Sequence, residues 1–337
     1  MFSKADAKQL RQNLRPIEFL HSDGEVGFEL GANAVDSYSA YAEFYGLNFT
    51  ESAPDLRATR ASIGTFHSGG YELVCQHFLP PEIPPRRTAF LLHGYFDHAG
   101  LYRHLISHLL RRGIAVVIFD LPGHGLSSGA PARITSFQEY SDAFVACLSL
   151  AVREQLAAPW LVIGQSTGGA IIMDALLEKK LEAGFVIQDF ILLGPLLRPK
   201  HWSRSKILFS LSRLFLTSTP RNFSKNSHDA EFLEFLESHD ELQSRLLPRD
   251  WVQAMIDYIS RFIAAPKQQQ PLHIVQGKGD GTVDWETNIP AILEKFPGSE
   301  VHWIEEAGHH LVNESLPYRE KVFATIDRVL DSQQAAC

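Results

Sequence analysis

Cysteine is scarce. The chain has three in 337 residues (Cys75, Cys147 and Cys337), an odd number, far apart and without any C-x-x-C spacing. That excludes a disulfide framework and a zinc-finger scaffold. Long hydrophobic runs are missing as well: the best, Ile114–Phe119, has the length of a strand, whereas a membrane-spanning helix needs roughly 18 apolar residues. The opening stretch MFSKADAKQLRQNLRPIEF carries charges where an apolar h-region would stand, so no secretory signal peptide is expected. Positive charge is not in excess either. Lys+Arg number 31 against 39 Asp+Glu, a net charge of −8, which speaks against a nucleic-acid partner. What remains is a globular composition, 45% hydrophobic and 21% charged, too apolar for disorder. Its length suits two ordinary domains or one large α/β domain with an insertion. A cytoplasmic protein is the expectation.

Aromatic residues (Tyr38, Tyr41, Phe44, Tyr45, Phe49) mark residues 1–60 as an N-terminal extension packed on the core. Ala61–Phe66 and Tyr71–Phe78, joined through Ser68-Gly69-Gly70, read as an antiparallel hairpin. Beyond Pro80, Pro81, Pro84 and Pro85, short apolar runs alternate with helix-period segments. The runs are Thr88–Leu92, Ile114–Phe119, Trp160–Gly164, Phe190–Leu193, Leu272–Gln276 and Val301–Ile304. Apolar on both faces, they fit central strands covered by helices. In Phe137–Leu156, Phe137, Tyr140, Phe144, Leu148, Val152 and Leu156 form one helical stripe. The pattern predicts an α/β protein with an eight-strand, mostly parallel, doubly wound sheet whose first hairpin is antiparallel. The rhythm stops between Leu193 and Leu272, where helical stretches occur without a good strand. Residues 195–270 therefore read as an inserted helical cap, leaving 61–194 and 271–337 as the core.

The strongest chemical signal is Gly164-Gln165-Ser166-Thr167-Gly168, preceded by the apolar run Trp160–Ile163 and followed by a helix-forming segment. This is G-x-S-x-G in its required setting of strand, sharp turn and helix. A serine on a strained turn needs neighbours without bulk, and the helix behind it points N–H groups at the site. A serine hydroxyl needs a base and an orienting acid, expected in the order Ser, Asp, His on loops after late strands. Asp280 follows the strand ending at Gln276, and His309 follows Val301–Ile304. Asp284, four residues on, is a rival acid with helix capping as its plainer explanation. His310 is a rival base. Two backbone amides should form an oxyanion hole: Thr167, after the nucleophile, and Tyr95, in the His93-Gly94 bend. Asp120, in Phe119-Asp120-Leu121-Pro122-Gly123-His124-Gly125, precedes the serine and reads as structural. His104 and His108 stand at i,i+4 but lack a third ligand, so no zinc site is expected there.

Taken together, L-L-H-G-Y, F-D-L-P-G-H-G-L-S-S-G, G-Q-S-T-G-G, G-x-G-D-x-x-V-D and G-H-H-L-V-N-E resemble the α/β-hydrolase superfamily. More narrowly, residues 60–335 resemble the serine aminopeptidase-like hydrolases that include monoglyceride lipases and bacterial lysophospholipases. The resemblance implies Ser166 as nucleophile, Asp280 as acid, His309 as base, Tyr95 and Thr167 as oxyanion donors, and a helical cap after the sixth strand. It implies a serine hydrolase of carboxylic esters, with amide hydrolysis or a catalytically silent binding fold as alternatives, and no metal or organic cofactor. Tyr95-Phe96 departs from the small residues common after His-Gly. Finally, residues 195–225 hold seven basic residues (Arg198, Lys200, Arg204, Lys206, Arg213, Arg221, Lys225) and no acidic one, whereas 226–244 hold only acidic ones. Two cap helices neutralising each other across a shared apolar seam would account for this pattern; the other reading is a basic, apolar stretch facing an anionic membrane surface, with a lipid-like substrate and peripheral membrane contact. No obligate protein partner is evident.

Overall fold

The structure, a computed structural model, describes residues 2–21, 32–49, 53–81, 84–181, 184–202 and 217–334. Arg204, Lys206 and Arg213, and with them much of the basic stretch, lie outside the described residues.

Eight strands form one sheet in the order β1-β2-β4-β3-β5-β6-β9-β10. These are β1 (Arg60–Ser68), β2 (Tyr71–Leu79), β3 (Arg87–Leu92), β4 (Ile114–Phe119), β5 (Trp160–Gln165), β6 (Ile187–Leu193), β9 (His273–Gly277) and β10 (Glu300–Ile304). Within this sheet, among the described residues, β1–β2 and β2–β4 pair antiparallel and the other pairs are parallel. The predicted sheet is therefore the observed one, with an α/β-hydrolase arrangement.

The central strands β3, β4 and β5 are buried along their whole length because both faces of the sheet are covered there. In β3, Ala89 and Leu91 pack on one side while Phe90 and Leu92 pack on the other, as alternation along a strand dictates. One face meets α3 (Arg103–Arg111), α9 (Leu316–Gln334) and the N-terminal helices α1 (Lys4–Asn13) and α2 (Ala32–Tyr45). The other meets α4 (Gln138–Arg153), α5 (Thr167–Leu177), α7 (Arg249–Ala264) and α8 (Trp285–Lys295). Each large apolar side chain so buried contributes about 1.5–3 kcal/mol. The N-terminal aromatics join the core: Tyr41, Tyr45 and Phe49 are all buried. The segment before them runs alongside β1, where Ile17 N donates to Thr65 O at 2.8 Å. Gly64 makes that crossing feasible, since a Cβ there would fall 2.5 Å from Ile17 Cα.

Between β6 and β9 the structure departs from the expectation of an interval without strands. Alongside α6 (Ala230–Ser238) and α7 it holds a two-stranded antiparallel ribbon, β7 (Ser218–Pro220) with β8 (Leu246–Pro248). Three residues per strand are too few for a period-2 pattern, and each strand ends at a proline, which removes the usual sequence signal.

Candidate active site

The turn from β5 into α5 holds Ser166 at φ 52°, ψ −108°, a conformation that costs a non-glycine residue on the order of 1–3 kcal/mol. Its neighbours show why the glycines are needed. A Cβ on Gly164 would lie 2.4 Å from the Gly168 carbonyl carbon, and one on Gly168 would lie 2.0 Å from Leu92 O. Ser166 N donates to Leu193 O at 2.8 Å, which pins the turn to β6. The serine is 8% exposed, and its hydroxyl stands at the C-terminal edge of the parallel strands, where open α/β sheets collect their sites.

Asp280 and His309 reach the same point from the loops after β9 and β10. His309 Nε2 lies 2.9 Å from Ser166 Oγ and His309 Nδ1 lies 2.8 Å from Asp280 Oδ2. Asp280 is held on four sides. Its Oδ1 accepts from the amides of Thr282 (2.7 Å) and Val283 (3.1 Å), and its Oδ2 also accepts from Gln276 Nε2 at 3.1 Å. Burial by itself would raise the Asp280 pKa. The facing imidazole and these donors outweigh it and hold the carboxyl below its ordinary value. Burial likewise opposes charge on His309, but Asp280, with a smaller push from Asp97, raises its pKa above 6.5. The Asp–His pair thus favours an imidazolium once a proton arrives.

The rival residues stand elsewhere. Asp284 occupies the position before α8, where its backbone carbonyl accepts from Thr287 and Asn288 but its side chain makes no capping bond. His310 turns away from Ser166. Its Nε2 lies 3.0 Å from Asp97 Oδ2 without hydrogen-bond alignment, and its ring packs edge-on against Phe232. His104 and His108 do not share a ligand: His108 Nε2 sits 2.9 Å from Asp327 Oδ1.

The loop after β3 lies against the serine, since a Cβ on Gly94 would stand 3.6 Å from Ser166 Cβ. The amide of Tyr95 follows directly. The Thr167 amide, at the first position of α5, has no acceptor within its helix. Several side chains that motif matching overlooks fix this loop. Tyr102 OH accepts from Gly94 N at 3.0 Å and lies 3.2 Å from Asp97 Oδ2. His93 accepts from Leu121 N through Nε2 at 2.9 Å, while its Nδ1 sits 2.8 Å from Gly94 O. Burial, aided by nearby His124, lowers the His93 pKa to about 3, so the ring stays neutral and keeps this polarity. Asp120 is structural as expected, accepting from the amides of Ala99 and Leu126, each at 2.7 Å. Gln165 Nε2 donates to His309 O at 2.9 Å, tying the base loop to β5. No sequence signal marks Tyr102 or Gln165 apart from adjacency to the motifs.

The bulk of Tyr95 and Phe96 is turned outward from the sheet. The Tyr95 ring stacks on Trp251 of α7 at 3.8 Å, and its hydroxyl donates to Ala132 O at 2.7 Å. The Arg221 guanidinium lies 4.3 Å over the Phe96 ring and bonds to Gln243. That member of the basic stretch therefore faces the protein. Burial lowers its pKa to about 10.

A family model described as serine aminopeptidase, S33, matches residues 83–316. The chain belongs to that family. Among relatives of this S33 member, a monoacylglycerol lipase of Mycolicibacterium smegmatis is 30% identical over 117 residues, 35% of this chain and 41% of that relative. The chain thus spans under half the length of that relative. A monoglyceride lipase of Rattus norvegicus is 24% identical over 260 residues, 74% of this chain and 84% of that one. Among solved structures, a soluble variant of monoglyceride lipase from Saccharomyces cerevisiae superimposes with a TM-score of 0.68 at 18% identity, covering 80% of this chain and 94% of the other. The monoacylglycerol lipase of Paleococcus ferrophilus gives 0.64 at 22%, covering 77% and 99%. Both share the α/β-hydrolase fold with this chain.

Proposed function

We propose that this S33 member hydrolyses carboxylic esters of lipid-like substrates, monoacylglycerols or lysophospholipids, through an acyl-enzyme on Ser166. The observation that carries the reading is the chain of contacts from Ser166 Oγ to His309 to Asp280, at 2.9 and 2.8 Å, on a strained elbow. His309 removes the serine proton as Oγ attacks the ester carbonyl. Asp280 fixes the proton on Nδ1 and stabilises the imidazolium. The amides of Tyr95 and Thr167 receive the oxyanion. His309 then protonates the leaving alcohol, and a water deprotonated by the same base releases the acid.

The substrate class is supported by relatives named for monoacylglycerol and by one named phospholipase. Residues 195–270 serve as the cap in this reading. Trp251 leans on Tyr95 and Phe232 on His310, contacts between that interval and the two loops beside Ser166 that support this reading. Peripheral contact with an anionic membrane belongs to the same proposal. Among the described residues no helix is long and apolar enough to cross a membrane.

The test has two stages. A fluorophosphonate should label Ser166 in the folded protein, and Ser166→Ala should abolish labelling. Monoacylglycerols, lysophospholipids, short aryl esters and aminoacyl amides are then compared, in micelles and on anionic vesicles at low and high salt. The absence of an adduct rejects catalysis by Ser166. A preference for aminoacyl amides over every ester rejects the lipid-ester reading.

A further inference from the structure

At the far end of the last two strands lies a cluster that the proposed reaction does not use. β9 and β10 are parallel, with Glu300 level with His273 and His302 level with Val275. Side chains two residues apart on a strand share a face. Glu300 and His302 therefore project together from the edge strand, and His273 beside Glu300 projects with them. The contacts agree with the pattern. The two imidazoles stack with centroids 5.9 Å apart, and Glu300 Oε2 lies 3.8 Å from His273 Nδ1 and 3.9 Å from His302 Nε2. One donor atom from each residue falls within 4.8 Å of the other two.

These separations are too long for hydrogen bonds. Both nitrogens are nevertheless buried atoms without a hydrogen-bond partner, so two imidazole nitrogens and a carboxylate converge on one another. Two imidazoles and one carboxylate are the donor set of divalent transition metals rather than of calcium or magnesium. With bonds of about 2.0–2.2 Å, ligand atoms around one ion stand roughly 3–4 Å apart; Glu300 Oε2 meets that spacing to each nitrogen, and the small swing of an exposed carboxylate and the rings closes the set, whose atoms lie within 4.8 Å of one another.

We propose that His273, Glu300 and His302 form a binding site for a divalent transition-metal ion, zinc in the first instance, with water completing its coordination. The Glu300 side chain is 67% exposed, which gives the ion its entry and the carboxylate room to swing onto it. Glu300 brings to the site the negative charge that a dication favours. The bound ion would cross-link β9 to β10. Four residues of β9, at about 3.3 Å each, place it roughly 13 Å from the strand end that leads to Asp280, so it acts on the stability of this strand pair and leaves the reacting atoms untouched. The proposal is independent of the hydrolase reading.

Titration with zinc chloride, followed by calorimetry and by thermal unfolding, tests it on the full chain and on His273→Gln, His302→Gln and Glu300→Gln. The wild type should bind zinc at one dominant site and melt at a higher temperature with the ion than without it. Each variant should bind at least tenfold more weakly and lose most of that increment, while its metal-free ester hydrolysis stays unchanged. Glu300→Gln alters an exposed side chain and keeps the experiment valid if a histidine variant folds poorly. Equal zinc affinity in wild type and Glu300→Gln would overturn the assignment, as would a wild type that shows no zinc-dependent change in melting.

Discussion

Replacing Asp280 by Asn keeps the shape of the side chain and changes two things that the geometry makes decisive. Asp280 Oδ1 accepts from two backbone amides and Oδ2 faces His309 Nδ1 and Gln276 Nε2. With the asparagine oxygen toward the amides, its NH₂ confronts two donors. His309 can relieve this by moving its proton from Nδ1 to Nε2, but then an N–H points at Ser166 Oγ and no base remains. Flipping the amide instead sets NH₂ against the Thr282 and Val283 amides, leaving two buried donors unsatisfied at about 1–3 kcal/mol each. The first arrangement is cheaper for the fold and fatal for proton transfer. Together with loss of the charge that stabilises imidazolium, the expected effect is a drop of about 10⁴-fold in kcat, roughly 5 kcal/mol.

The pH profile carries a second signature. Because Asp280 raises the His309 pKa against burial, the acid limb of wild-type kcat/KM should centre above 6.5. In Asp280→Asn the residual activity should have its limb at lower pH, since burial is then less opposed. Asp284→Asn is the control. Its side chain makes no capping bond, and activity should stay within about twofold of wild type. Both enzymes are assayed with a soluble aryl ester from about pH 5 to pH 9. A more severe loss in Asp284→Asn than in Asp280→Asn would refute the reasoning, and so would an unshifted acid limb.

Two further expectations concern stability. Ser166→Gly and Ser166→Ala should both be inactive, yet in urea the glycine variant should be the more stable by about 1 kcal/mol, because only glycine accepts φ 52° without strain; equal midpoints would count against a strained elbow. Asp240 lies 3.0 Å from His98 Nε2, both side chains fully buried, and also accepts from Tyr45 OH at 3.0 Å. Asp240→Ala should cost about 3–5 kcal/mol by stranding the histidine. Burial opposes the His98 charge, but Asp240 raises its pKa above 6.5, so this stabilisation is complete below 6.5 and fades as pH rises through the raised value. Chemical unfolding of both proteins across that range should show the gap narrowing upward; a gap that widens contradicts the pairing.

The architecture was legible wherever one local pattern sufficed. Continuous apolar runs located six of the strands and the Gly69-Gly70 turn located the hairpin, and the glycines of G-Q-S-T-G mark the nucleophile turn because backbone approaches at 2.0 and 2.4 Å leave no room for a Cβ. Spacing also led to Asp280 and His309, which the fold brings to Ser166. It could not separate His309 from His310, since adjacent residues on a loop carry no period. The contacts of His309 with Ser166 and Asp280, against that of His310 with Asp97, tell them apart. Gln165 and the Asp240–His98 pair were illegible for a related reason. Each partnership joins segments distant in sequence, and neither hydrophobic period nor turn chemistry records who meets whom across the fold. The β7–β8 ribbon fell below the length at which alternation can be read.

The sheet order has one more consequence. Ser166 rises from β5, which is held on both sides by β3 and β6, whereas Asp280 and His309 hang from β9 and β10, and β10 has a neighbour on one side only. Local opening of an edge element requires less free energy than melting the middle of a sheet. On warming, the base and acid should therefore lose register while the nucleophile still sits on its ordered elbow. Heat inactivation then begins as a reversible fraying at the rim, with activity declining below the global melting transition and returning on cooling.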